Sequence, residues 1–294
     1  MQQDRYHLKS EYENIIQKRA KREELAFKIT ESQIEILGMQ EHRIFHEEQF
    51  RYEDTQGALL ITHSAWKNGQ GASIGGVGFI ISSKAKKSFL NIKAFGKRVI
   101  VANFSGNPAT TVINAYSPTN TEQEDVVDEF YDEMRRAIST VPRHNVLVVT
   151  GDFNARIGST DGKFTFHDET NRNGEKLVEL TQEFGLEICN TSFQKPNSKL
   201  WSHLSPNGDK YQLDYILIRK KWRNSVKDAQ TYNNFASIGS DHRIVSAKLR
   251  LSLRSNNKGA MRKIKYDWKM LKEDDELQER YTLTVKKSIS RSDN

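Results

Sequence analysis

Four places in this chain put polar, reactive side chains at one end of an apolar run. In VLVVTGDFNARIG, Asp152 and Asn154 stand two residues apart and point to the same side of an extended chain. A carboxylate there can take a proton from water, and a carboxamide can donate to an anionic oxygen, which are two parts of a hydrolytic site. A strand ending in an Asx turn would use the same two residue types. Glu41 in MQEHR, Asn114 and Tyr116 in INAYSPTN, and Asp241 and His242 in GSDHRIV occupy similar positions. Glu41 alone also reads as an exposed loop carboxylate. Asp214 differs, because it lies inside the apolar run QLDYILI, where a carboxylate is costly unless something donates to it.

The elements that must position these groups follow from periodicity. Val146 to Val149 is an unbroken β-forming run, the pattern of a strand buried on both faces. Further strands are expected at Ile34–Met39, Leu59–His63, Gly76–Ser82, Val99–Phe104, Thr110–Tyr116, Leu186–Asn190, Gln212–Ile218 and Ile244–Leu253, with SGNPA turning one hairpin. Apolar residues at helical spacing predict helices over Glu122–Ile138 and Glu175–Phe184, and Arg22–Ile29 reads as the body of another. The glycine-rich KNGQGASIGG lacks the Lys-Ser/Thr ending of a phosphate-binding loop and reads as a flexible turn. Strand–helix alternation with hairpins predicts an α/β fold with mixed sheets. Reactive groups at several strand ends match where such folds place their sites.

Composition narrows the class. The 294 residues allow one large domain or two modest ones. A single cysteine, Cys189, excludes an internal disulfide framework and a cysteine-based zinc site, and it fits a reducing compartment. No apolar run is long enough to span a membrane and no signal peptide is evident, so nucleus or cytoplasm is expected. The net charge is +7, of which residues 250–294 carry +5 and residues 1–30 carry +2. Residues 31–249 are neutral. A basic tail can add affinity for a phosphate backbone or simply solubility.

In order, MQEHR, INAYSPTN, GDFNARIG, QLDYILI and GSDHRIV resemble the endonuclease/exonuclease/phosphatase superfamily, the DNase I-like fold. The apurinic-endonuclease-like domain of RTE/BovB-type non-LTR retrotransposons, with host relatives called craniofacial development protein 2-like, is similar also in NRNGEKL, ICNTSF and LWSHLSPNG. The resemblance implies a four-layer sandwich: two packed mixed β-sheets flanked by helices, over residues 30–253. Residues 1–29 would form an atypical charged segment, and residues 254–294 a linker and basic tail. It implies an Mg²⁺- or Mn²⁺-dependent endonuclease, monomeric, nicking one DNA strand to leave a 3′-hydroxyl. Glu41 would be the main metal ligand and Asp241 would support the metal. Asp152 would deprotonate the attacking water. Asn154 and Asn114 would hold the site and the phosphoryl oxygens, Tyr116 would donate to the phosphate, and His242, oriented by Asp214, would stabilise the charge. Arg98 reads as a phosphate contact or as a surface arginine. The alternative is a weak or inactive descendant that binds nucleic acid or protein. A head-group phosphatase is a third reading.

The family's opening strand, Asn-x-Arg-Thr-Leu, has no counterpart here; the region reads YENIIQKRAKREEL, with Asn14 the candidate. Residues 1–22 are therefore expected to be helical or disordered, with Asn14 away from the metal and one sheet short of a strand. For the tail, deletion of residues 255–294 is expected to weaken DNA binding at low salt and flatten its salt dependence. Equal salt slopes for the full and truncated chains would remove that role.

Overall fold

A computed structural model describes residues 24–25, 27–29, 31–46, 50–53, 57–232 and 240–251. The expectations for residues 1–22, Asn14 and the tail beyond Ser255 lie outside the described residues. In chain order, β1 (Ile36–Gln40), β2 (Phe50–Glu53) and β3 (Leu59–His63) lead to a short hairpin of β4 (Trp66–Lys67) and β5 (Ser73–Ile74). Then come β6 (Val77–Ile81), α1 (Ser83–Lys86), β7 (Phe89–Phe95), β8 (Val99–Phe104), β9 (Thr110–Tyr116) and α2 (Glu124–Ser139). β10 (Val146–Asp152), α3 (Arg172–Phe184), β11 (Leu186–Ile188) and a hairpin of β12 (His203–Leu204) and β13 (Lys210–Tyr211) follow. The described chain closes with β14 (Asp214–Arg219), β15 (Val226–Tyr232) and β16 (Ile244–Leu249).

One sheet has the order β1-β6-β3-β2 and is antiparallel throughout; the other runs β11-β14-β10-β9-β8-β7. Its parallel pairing is β9 with β10, and every other pair in it is antiparallel. Side-chain alternation along β10 shows how the layers form. Val146 and Val148 face the other sheet, where Ile61, Phe79 and Ile81 meet Ile100, Val112 and Ile216. Leu147 and Val149 face the opposite way, onto Phe130 and Met134 of α2 and Leu177 and Leu180 of α3. On the outer face of the four-stranded sheet, Leu60 and Ile80 pack with Ile29, which sits in a helical stretch at residues 27–29. Helix, sheet, sheet and helices make four layers, as expected. Burial of each such aliphatic side chain contributes about 1.5–3 kcal/mol.

Differences from the expected elements have local causes. α3 starts three residues before Glu175, because Asn171 caps it, accepting from the Gly174 N–H at 2.8 Å. β11 stops at Ile188, and the Asn190 side chain takes over the ladder, donating to the Asp214 carbonyl at 3.0 Å and accepting from the Ile216 N–H at 3.1 Å. β14 begins at Asp214 rather than Gln212, since the Leu213 and Asp214 N–H groups both donate to the Ser202 hydroxyl. The glycine-rich stretch is not merely a turn: it carries the β4–β5 hairpin.

Gly151 sits in β10 against Ala115 of β9, and a Cβ there would lie 2.1 Å from the Ala115 carbonyl oxygen. The two strands cannot give way without separating at the end that carries Asp152 and Tyr116. Gly151→Ala is expected to lower stability by about 1–3 kcal/mol, as overpacking does. An unchanged denaturant midpoint would show that the strand pair has slack.

Candidate active site

Three neighbouring strands end side by side. The parallel register sets Tyr116 beside Asp152, and the antiparallel register sets Asp214 on its other flank. Residues in register share one face of a sheet, so a phenol and two carboxylates form a row. Asp152 is 6% exposed, and its Oδ1 accepts from the Asn154 N–H at 3.0 Å. His242 comes from the start of the last strand segment. Its Nδ1 lies 2.9 Å from Asp214 Oδ2, which supplies the partner that an aspartate in QLDYILI needs. Its Nε2 stands 4.0 Å from Asp152 Oδ2, beyond hydrogen-bond distance.

The charges in this row shift each other. Burial pushes Asp152 up, Asp214 adds to the rise and His242 pulls back, for a net value of about 7. Burial alone would lower His242, but Asp214, its hydrogen bond and Asp152 outweigh it and raise it to about 10. At neutral pH the imidazole is therefore a cation between two carboxyl groups.

Glu41 arrives from the other sheet, one residue beyond β1, in a left-handed conformation (φ 51°). It accepts from the Tyr116 hydroxyl and, at 2.8 Å, from Arg43. Burial would raise its pKa; the Tyr116 and Arg43 hydrogen bonds and the nearby cations overcome this and lower it, so the carboxylate is ionised. Its side chain keeps 41% exposure. A half-exposed carboxylate with oxygen donors suits Mg²⁺, which binds through one or two carboxylates and retains water. Burial, then the bond to Glu41, raises the Tyr116 phenol, which stays protonated. Arg98 is no plain surface arginine: its guanidinium lies 4.7 Å from the Trp66 ring centroid and 5.4 Å from that of Tyr116.

Asn114 sits behind this row and is fully buried. It donates to the Met39 and Gly78 carbonyls at 2.8 and 2.9 Å and accepts from Gln40. Its amide thus ties β9 to β1 and β6 and has no proton left for a phosphoryl oxygen. Asn154, also left-handed at φ 47°, donates to the Ser117 carbonyl at 3.0 Å. Asp241 is at the rim, with its side chain 68% exposed and Oδ2 3.6 Å from His203 Nε2. Among the described residues, two groups bring three metal-capable side chains within 4.8 Å: Asp152, Asp214 and His242, and His203, Asp241 and His242. Glu41 is in neither.

The structure thus gathers Tyr116, Asp152, Asp214 and His242, with Glu41 joined through Tyr116. Sequence reasoning passed over Arg43, Ser202 and His203. Arg43 had a signal, a cation two residues from Glu41. Ser202 and His203 had none beyond their place in LWSHL, because their partners lie far along the chain.

Residues 110–246 match the endonuclease–reverse transcriptase family model, Exo_endo_phos_2. Craniofacial development protein 2 from Bos taurus is 35% identical over 186 residues, which are 61% of this chain and 31% of that protein. The chain therefore spans about a third of that relative. Among solved structures, the AP endonuclease LMAP from Leishmania major aligns with a TM-score of 0.60 at 15% identity, over 77% of this chain and 81% of that one. The 3′ phosphatase NExo from Neisseria, solved bound to a product DNA hairpin, aligns at 0.56 and 17% identity, over 74% and 89%. Among the described residues, no helix is long and apolar enough to cross a membrane. With the four-layer architecture, these matches give the chain the DNase I-like fold, and over residues 110–246 it is similar to the endonuclease–reverse transcriptase family.

Proposed function

We propose that this chain is a metal-dependent phosphodiesterase that nicks one strand of DNA and leaves a 3′-hydroxyl, with an origin in a retrotransposon endonuclease. The observation that carries this reading is the row Tyr116–Asp152–Asp214 capped by the His242 imidazolium, with ionised Glu41 beside it. A solvent-reachable carboxylate at Glu41 fits Mg²⁺ or Mn²⁺. When bound, such an ion supplies positive charge against the phosphoryl oxygens. Asp152, with its raised pKa, accepts the proton of the attacking water as oxygen bonds to phosphorus. The P–O3′ bond breaks, and O3′ leaves with the electron pair and takes a proton from solvent. His242, held by Asp214, donates to the phosphoryl oxygens as charge builds on them. Tyr116 orients Glu41 here, and its hydroxyl reaches the phosphate on leaving that carboxylate. Asn114 and Asn154 hold the strand ends in place. Asp241 stands at the rim beside His242.

DNA as substrate is supported by the endonuclease description of the matching family model and by the +5 charge of residues 250–294. The missing Asn-x-Arg-Thr-Leu motif favours a second reading, a weak or inactive descendant that binds without cutting. One assay separates the two: supercoiled plasmid incubated with the chain in Mg²⁺, in Mn²⁺ or in EDTA. Metal-dependent open circles are expected. Asp152→Ala and His242→Ala should each lose more than about 10²-fold in rate, and Glu41→Gln should require more Mg²⁺. No nicking by the intact chain with either metal would leave the binding reading standing. Full activity in Asp152→Ala would remove the mechanism.

The pH dependence follows from the same charges. Asp152 must be a carboxylate, so the rate should climb as pH rises through about 7. His242 must be an imidazolium, so it should fall as pH rises through about 10. The groups interact, and both limbs belong to the cluster as a whole. Asp214→Asn should pull the alkaline limb toward neutrality. A flat profile from pH 5 to 10 would rule out both roles.

A further inference from the structure

We propose that His203, Asp241 and His242 form a second site, for a borderline transition-metal ion such as Zn²⁺, whose occupation switches the hydrolytic centre off. The two imidazoles are placed as neighbours by the backbone. His203 and His242 pair as an antiparallel bridge, the Leu204 N–H donates to the Asp241 carbonyl at 3.0 Å, and the Arg243 N–H donates to the Ser202 carbonyl at 2.6 Å. The ring centroids are 4.7 Å apart. One donor atom from each of His203, Asp241 and His242 lies within 4.8 Å of the others. Tetrahedral Zn²⁺ with bonds of about 2.0–2.2 Å needs its donors roughly 1 Å closer than that. The exposed Asp241 side chain is free to make such a movement.

His203 is poorly used by the fold alone. Its Nδ1 is buried with no hydrogen-bond partner among the described residues, and its Nε2 faces Asp241 at 3.6 Å. His242 is oriented the way a ligating histidine is: Asp214 holds Nδ1, so Nε2, 4.0 Å from Asp152 Oδ2, is the nitrogen left to bind a ligand. Two imidazoles and one carboxylate select Zn²⁺ or Co²⁺ over Mg²⁺, which prefers oxygen. The site is thus chemically distinct from the one at Glu41. On binding, the ion takes the Nε2 lone pair of His242 and the displaced proton goes to solvent. His242 then has no proton to offer a phosphoryl oxygen.

The test uses Co²⁺, whose visible absorption reports a low-coordinate nitrogen and oxygen site, titrated into the intact chain in excess Mg²⁺. A band is expected, displaced by Zn²⁺. His203→Ala and Asp241→Asn should each weaken Co²⁺ binding by about tenfold or more, at least the loss seen for removing a supporting group. Asp241→Asn alters an exposed side chain, so it decides the matter if His203→Ala is misfolded. No band in the intact chain, or equal affinity in Asp241→Asn, overturns the site; a band that survives both changes places the ion elsewhere, for example at His42, His46 or His63. The switch itself rests on the nicking activity proposed above. Zn²⁺ at concentrations that displace Co²⁺ should stop nicking, and both variants should need about tenfold more Zn²⁺. If the intact chain never nicks, that activity fails by itself and the Co²⁺ titration still decides the site. If it nicks and Zn²⁺ inhibits both variants as it does the intact chain, the switch is overturned.

Discussion

Asp152 and Asp214 are immediate neighbours across β10 and β14, both largely shielded from water, and the His242 imidazolium makes that arrangement tolerable. Two unit charges about 4–5 Å apart repel by roughly 3–4 kcal/mol at an effective dielectric near 20. Left to themselves, one carboxyl would stay protonated. A cation in contact with Asp214 and near Asp152 offsets part of the rise that burial and Asp214 impose on Asp152, while the two carboxylates keep the imidazole charged. The raised Asp152 and the raised His242 are two views of this single interaction.

The two aspartates belong to one sheet, and Glu41 directly follows a strand of the other. Their separation is fixed by how closely the sheets approach. Asn114 is the polar tie between them: fully buried, with both protons given to carbonyls of the facing sheet. Gly38 permits the approach, since a Cβ on it would fall 2.5 Å from Asn114 Oδ1. The two exchanged hydrogen bonds are modest in net energy, but leaving those carbonyls buried and unpaired would cost about 1–3 kcal/mol each. The tie therefore sets register as much as stability, and Tyr116, two residues along β9, extends it to Glu41.

Much of this was legible in the sequence because buried strands write themselves as apolar runs. Val146–Val149, Val99–Phe104 and Thr110–Tyr116 are apolar enough to locate, and the groups that follow or end such runs were found with them. What stayed hidden was hidden for physical reasons. β2, β7 and β15 mix polar and charged residues into their strands; β2 and β7 are sheet edges, where solvent tolerates such residues. β4 and β5 are two residues each, too short to have a period. Asn114 was visible as a strand-end amide, but its partners are 36 and 75 residues away, so its use as a tie between sheets was not. His203 gains meaning only beside His242, and no local pattern links them.

The polar interior residues divide into two kinds, and the division bears on what the site is for. Asn114 and Asn190 spend their amides on backbone groups and hold strands where the ladder alone would not. Asp152 does little of this: it accepts one backbone N–H, and its second oxygen faces His242 across 4.0 Å. Buried ion pairs add little to folding, and apolar replacements of similar size are often neutral or stabilising. A fold needed only as a binding surface would gain nothing from two adjacent sheltered carboxyls and an imidazolium at its strand ends. The arrangement becomes useful when a proton must leave a water at neutral pH and negative charge must gather a few ångströms away. Hydrolysis of a phosphodiester asks for both.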